Sequence, residues 1–173
     1  MNVVVIYESI SGNTRAIAEA IGAGLKDGNE VLVALAARVS KDTMAGADLV
    51  VVGGPNADGP GLNEWFASLG TVRVRAAAFD TRLAGIAALT GRASLGIQAL
   101  LLRQGFSVVD LPHSFLVGGD NKPRPGEVER ARLWGQQLAA WVRAERSCRP
   151  WQGPSGAPLP ALAAGGGSHQ RDS

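Results

Sequence analysis

Five short apolar runs punctuate this chain, and the residues between them place their apolar positions at helical spacing. Residues 3–7, Val-Val-Val-Ile-Tyr, form an unbroken apolar run, the pattern of a strand buried on both faces. Ile17, Ile21 and Leu25 recur every fourth residue, which predicts a helix over 13–25 with that stripe on the core. After the Gly28-Asn29 turn, residues 31–35 read as a second strand and residues 49–52 as a third. A long stretch of chain breakers over 53–61 leads into a helix over 62–69. Residues 76–80 predict a fourth strand ending in the polar residues Asp80, Thr81 and Arg82. A helix starts at 90–94, with Ile97, Leu100 and Leu101 as its buried face up to Gly105. Residues 106–111 and 114–117 make a fifth strand interrupted at Pro112, whose missing N–H suits a sheet edge. The last helix covers 125–146, with Val128, Ala131, Trp134, Leu138, Trp141 and Val142 on its apolar face.

Strands alternating with helices imply right-handed crossovers, a parallel sheet and helices on both faces, which is the α/β doubly wound class. In the five-stranded order 2-1-3-4-5 the direction of winding reverses between strands 1 and 3, so the loops after strands 1, 3 and 4 converge on one crevice. The domain extends over residues 1–146. From 147 to 173 the composition turns to Pro, Gly, Ala and Ser, with Gly165-Gly166-Gly167. Such a segment buries too little apolar surface to offset its ordering entropy, so a disordered tail is expected.

Composition narrows the function. At 173 residues and 46% hydrophobic, the chain suits one domain with a buried core. The net charge of +2 and the sequence pI near 9.1 come from arginines spread without a dense run, which argues against nucleic acid. The lone Cys148 has no internal partner and suits a reducing compartment. The first residues lack a secretory pattern, and their apolar run is too short to span a bilayer, so a cytoplasmic location away from membranes is expected. His113 and His169 read as unrelated surface residues, and no metal cluster, catalytic triad or carboxylate pair stands out.

The chemistry concentrates after the first strand. Glu8-Ser9-Ile10-Ser11-Gly12-Asn13-Thr14 joins that strand to the first helix. A helix start leaves N–H groups without intrahelical partners and carries partial positive charge, so a turn that aims them at one point holds an anion. Ser9, Ser11, Asn13 and Thr14 add side-chain donors, and Gly12 allows close backbone approach. Ordinary turn and cap chemistry favours the same residue types, but one cap does not need so many hydroxyl and amide groups. Neither G-x-G-x-x-G after this strand nor G-x-x-x-x-G-K-[ST] anywhere is present. The third strand ends Val50-Val51-Val52-Gly53-Gly54-Pro55, without the phosphorylatable Asp of a response-regulator receiver.

The segment over 5–21 resembles the flavodoxin signature, and the chain is accordingly similar to short-chain, FMN-binding flavodoxin-like proteins over residues 2–146. Residues 78–82, 91–105 and 127–132 resemble a subgroup rich in Ala and Arg. The resemblance implies a flavodoxin-like fold with FMN as cofactor. It sets Ser9, Ile10, Ser11, Gly12, Asn13 and Thr14 around the phosphate, and Pro55, Asn56, Ala57, Asp80, Thr81, Arg82 and Gly91 near the ribityl chain and ring. Three features depart from the family pattern: neither 53–61 nor 80–92 contains an aromatic residue, the chain is slightly basic instead of acidic, and the fifth strand carries no insertion. Trp65, beside Phe66 at a helix start, reads as core. The implied function is electron transfer, with a redox partner protein or an NAD(P)H-linked reductase as partner. Two alternatives stand beside it: an FMN-dependent NAD(P)H oxidoreductase acting on a quinone-like acceptor, and a cofactor-free interaction module with the same fold.

Overall fold

The all-apolar first run becomes a central strand, because only a strand flanked by two others and covered on both faces can bury every one of its side chains. The computed structural model describes residues 1–44, 46–83 and 93–147. Strand β1 (Asn2–Tyr7) pairs in parallel with β2 (Glu30–Leu35) on one side and β3 (Leu49–Gly54) on the other. Beyond β3 lies β4 (Arg75–Leu83), and the far edge is shared by β5 (Ser107–Val108) and β6 (His113–Val117), both parallel to β4. The order β2-β1-β3-β4 followed by the divided last strand is the doubly wound order 2-1-3-4-5.

Helices α1 (Asn13–Leu25) and α4 (Glu127–Ser147) cover one face, where Val3, Val5, Ile17, Ile21, Trp134 and Leu138 form a core. Helices α2 (Pro60–Leu69) and α3 (Ala93–Arg103) cover the other, around Val4, Ile6, Val50, Leu62, Ile97 and Leu101. The buried stripe of Ile17, Ile21 and Leu25 is completely enclosed, as its spacing predicts. Trp65 is core as well, packed on Phe66 and Phe106.

Three expectations need correction. Asp80, Thr81 and Arg82 do not open a loop but lie inside β4, because β6 pairs with Phe79 to Leu83 and supplies the ladder bonds. On α4, Val128 and Trp141 are exposed. Val128 precedes the first buried residue of the helix, Ala131, and Trp141 hangs over a groove beside β5, which is too short to cover it. His113 is not a free surface residue. Its ring stacks on Trp134 with centroids 4.4 Å apart, and Asp110 accepts the Trp134 indole N–H at 2.8 Å. The third loop with Gly91 and Arg92, and the tail with Cys148, Trp151 and His169, lie outside the described residues.

Helices α1 and α4 meet at backbone distance. A Cβ on Gly24 would overlap the Arg132 carbonyl, and one on Gly135 would overlap the Ile21 carbonyl. Gly135→Ala should therefore cost about 1–3 kcal/mol of overpacking, more than the roughly 0.8–1 kcal/mol that alanine gains in a helix interior. A net loss in urea unfolding checks this, and an unchanged or raised midpoint would show that the helices do not meet there.

A second prediction concerns pH. Burial lowers the His113 pKa from its ordinary 6.5, with Asp110 pulling the other way and Arg130 adding to the lowering. The fold thus favours the neutral ring, so this contribution is complete above the ordinary value and fades as pH falls below it. Unfolding midpoints from about pH 7.5 to about pH 5.5 should fall more steeply in wild type than in His113→Gln. Parallel curves would remove the assignment.

Candidate functional site

The four described α-helices begin at the carboxyl edge of the sheet, and three of their starts are associated with a carboxylate. Glu8, the first residue after β1, reaches across to α2, where Oε1 accepts the Gly61 N–H at 3.1 Å and Oε2 the Leu62 N–H at 3.4 Å. Asp80 accepts the Ser94 N–H in the first turn of α3 at 2.8 Å. Helix α4 carries Glu127 and Glu129 in its first turn. Helix α1 differs: among the described residues, no carboxylate in its first turn and no side-chain cap offset its N-terminal charge.

The loop before α1 is shaped to keep that end open. Gly12 takes φ 88°, a left-handed conformation natural to glycine, and a Cβ there would meet nothing within 4 Å. The Gly12 N–H donates to Ser9 Oγ at 3.1 Å, which curls the turn. Ile10 at the tip is 82% exposed, and Ser11 and Gly12 are exposed beside it. The Glu8 N–H donates to the Gly53 carbonyl at 2.9 Å, tying the loop to β3.

Asn13 and Thr14 turn inward. Asn13 is buried, and its amide Nδ2 donates to Ser11 Oγ at 3.0 Å and to Asn121 Oδ1 at 2.9 Å. Both N–H bonds of the amide are thus satisfied within the protein. Thr14 Oγ1 lies 2.8 Å from Thr81 Oγ1 in a buried hydroxyl pair. The donors left over among the described residues are the Ser9 and Ser11 hydroxyls, which only accept bonds here, and the first backbone N–H groups of α1.

The other two loops flank this cradle. Pro55 and Ala57 are half-buried and Asn56 is exposed, with Ala57 seated on Gly96 of α3. Asp80 is wholly buried, and its Oδ1 has no partner among the described residues, nor do Ser94 Oγ and Arg82 Nε. Orphaned polar atoms concentrate where β4 leaves the sheet, beside the crevice. Sequence reasoning misses Glu8 and Asn121. The turn cluster Gly118-Gly119-Asp120-Asn121 was the available signal for the second.

The site's chemistry fits a phosphate group: an uncapped helix start, exposed Ser11 and, among the described residues, no acid in the first turn of α1. Among the described residues no cluster of His, Cys, Asp and Glu could hold a metal, and no helix is long and apolar enough to cross a membrane.

The buried hydroxyl pair is testable. Thr81→Val strands the Thr14 hydroxyl and should cost about 1–3 kcal/mol, whereas adding Thr14→Val removes both polar groups and should recover much of that loss. Strictly additive losses in denaturant unfolding would show that the two hydroxyls do not meet.

No family model and no curated protein matches the chain. Solved structures do. A flavodoxin from the domain Archaea aligns with a TM-score of 0.64 at 25% identity, over 83% of this chain and 99% of that one. Flavodoxin 2 from Bacillus cereus gives 0.65 at 17% identity, over 84% and 99%. A flavodoxin, WrbA-like protein from Agrobacterium tumefaciens gives 0.59 at 20%, over 83% and 98%. These likenesses agree with the strand order. The chain has a flavodoxin-like fold.

Proposed function

We propose that this chain binds FMN by its terminal phosphate at the start of α1 and serves in electron transfer. The observation that carries the reading is the missing acid: α1 alone among the four described α-helices starts without a carboxylate, on the central strand and at the crevice. The Ser11 hydroxyl and the first N–H groups of α1 would hold the phosphate, with Ser9, Gly12, Asn13 and Thr14 shaping the turn. Pro55, Asn56 and Ala57 would line the ribityl chain and ring from one side, and Thr81 and Arg82 from the other. Asp80, completely buried, supports this wall from behind by holding α3. When bound, FMN supplies the capacity to take up and release electrons, and the protein sets its position and surroundings. The partner in this reading is a redox protein or an NAD(P)H-linked reductase.

One observation favours a second reading. Residues 53–61 and 80–92 contain no Trp, Tyr or Phe, so neither segment could supply a ring to cover the isoalloxazine. An open face leaves room for a second planar molecule, which suits an NAD(P)H oxidoreductase delivering two electrons and a proton to a quinone-like acceptor. Steady-state NAD(P)H consumption by the purified protein separates an enzyme from a carrier.

Freshly purified protein should be yellow and release FMN on denaturation. Riboflavin, lacking the phosphate, should bind on the order of a hundredfold or more weaker, since two charge-assisted hydrogen bonds contribute about 1.5–3 kcal/mol each. Ser11→Ala should lower FMN affinity about tenfold or more and leave riboflavin affinity alone. A colourless protein that takes up no added FMN would support a cofactor-free module instead.

A further inference from the structure

The loop after β6 lies outside the three loops whose strand ends define the crevice, yet it delivers a side chain to the first of them. Asn121 Oδ1 accepts one of the two N–H bonds of the buried Asn13 amide at 2.9 Å, across 108 positions of sequence. The other goes to Ser11 Oγ at 3.0 Å, so the Ser11 hydroxyl receives a bond there and keeps its own proton for an outside acceptor. Asn13 is the first residue of α1, and fixing its side chain fixes the turn that carries the open N–H groups.

Asn121 is itself held firmly. The turn is closed by Gly118 N–H to the Lys122 carbonyl at 2.8 Å and by Asn121 N–H to the Gly118 carbonyl at 3.1 Å. Val117 and Pro123 pair just outside it. Asn121 sits at φ 57°, the one left-handed non-glycine residue described, in a conformation asparagine tolerates better than most residues do. A residue held in αL within a closed turn and bonded to a buried amide is a fixed strut. Asn121 is exposed, as residues 10–12 of the first loop are, so it is held by the bonds of its turn and by Asn13 and not by burial. Without the strut, one Asn13 N–H loses its acceptor and the loop must be ordered by the ligand that binds it.

We infer that Asn121 is a positioning residue of the cradle: it clamps Asn13 so that the first turn of α1 is already in the shape a phosphate ester requires. The ligand in this inference rests on the FMN reading, while the clamp itself does not. The Asn13 side-chain amide resonance and the backbone order parameters of residues 10–14 report the clamp in protein without flavin. Asn121→Gly is the right deletion, because glycine accepts the positive φ without strain and only the side chain is lost. It should shift the Asn13 amide resonance and lower the order parameters. Asn121→Asp keeps an acceptor oxygen and should leave them near wild type. With flavin, Asn121→Gly should bind FMN about tenfold more weakly and riboflavin unchanged. Unchanged Asn13 resonance and order parameters in Asn121→Gly would overturn the clamp, and equal losses for FMN and riboflavin would overturn its link to the phosphate. If wild type holds FMN no better than riboflavin, the FMN reading fails, and the flavin-free measurements still decide whether Asn121 clamps the loop.

Discussion

The organisation of this protein depends on where its carboxylates stand relative to its helix starts. Each helix leaves the carboxyl edge of a parallel sheet with unpaired N–H groups and partial positive charge. A chain that folds this way gathers four such ends along one rim. Glu8 serves α2, Asp80 serves α3, and Glu127 with Glu129 serve α4. Glu127 is engaged further: burial raises its pKa, but Arg130, the Leu116 N–H and Arg124 outweigh that and hold it below its ordinary value. What remains open is the start of α1, on the central strand.

An open helix end recognises an anion only if it stays in place, and the packing below it provides that. Helix α1 rests on α4 through glycines at backbone contact and on the sheet through Ile17, Ile21 and Leu25. Above, side-chain bonds cross between neighbouring elements: Thr14 to Thr81, Asn13 to Asn121 and Glu8 to α2. Each links a residue of 8–14 to a different part of the chain. The first loop is thus the hub of the rim, and its side chains contribute shape more than they contribute ligand donors.

The sequence made the elements legible wherever burial was symmetrical. The apolar run at 3–7 and the four-residue spacing of Ile17, Ile21 and Leu25 each reflect one environment along the whole segment, and periodicity reads that directly. Strand β4 was only half legible, because Asp80, Thr81 and Arg82 look like a loop until β6 is placed beside them. Val128 and Trp141 misled for a related reason: their spacing fits the buried stripe of α4, but the neighbouring elements do not extend far enough to cover them. At the site, the residue types of the first loop could be read, but their directions could not. Asn13 has the same two N–H bonds whether they point at a ligand or at Asn121, and only the fold decides.

The absence of aromatic residues from 53–61 and 80–92 changes the balance within the proposed site. A stacked ring contributes about 0.5–1.5 kcal/mol beyond its buried area, and this crevice has none to offer from those loops. A bound FMN would then be held chiefly by its phosphate, through charge-assisted hydrogen bonds of about 1.5–3 kcal/mol each. Affinity that rests on one end of a ligand is sensitive to the order of the groups at that end, so the struts behind the loop weigh more here than they would where rings grip the flavin. The same absence would leave the far end of a bound FMN without a stacked ring from those segments. A carrier and an oxidoreductase built on this scaffold would therefore share the phosphate cradle and differ in what meets the open face of the ring.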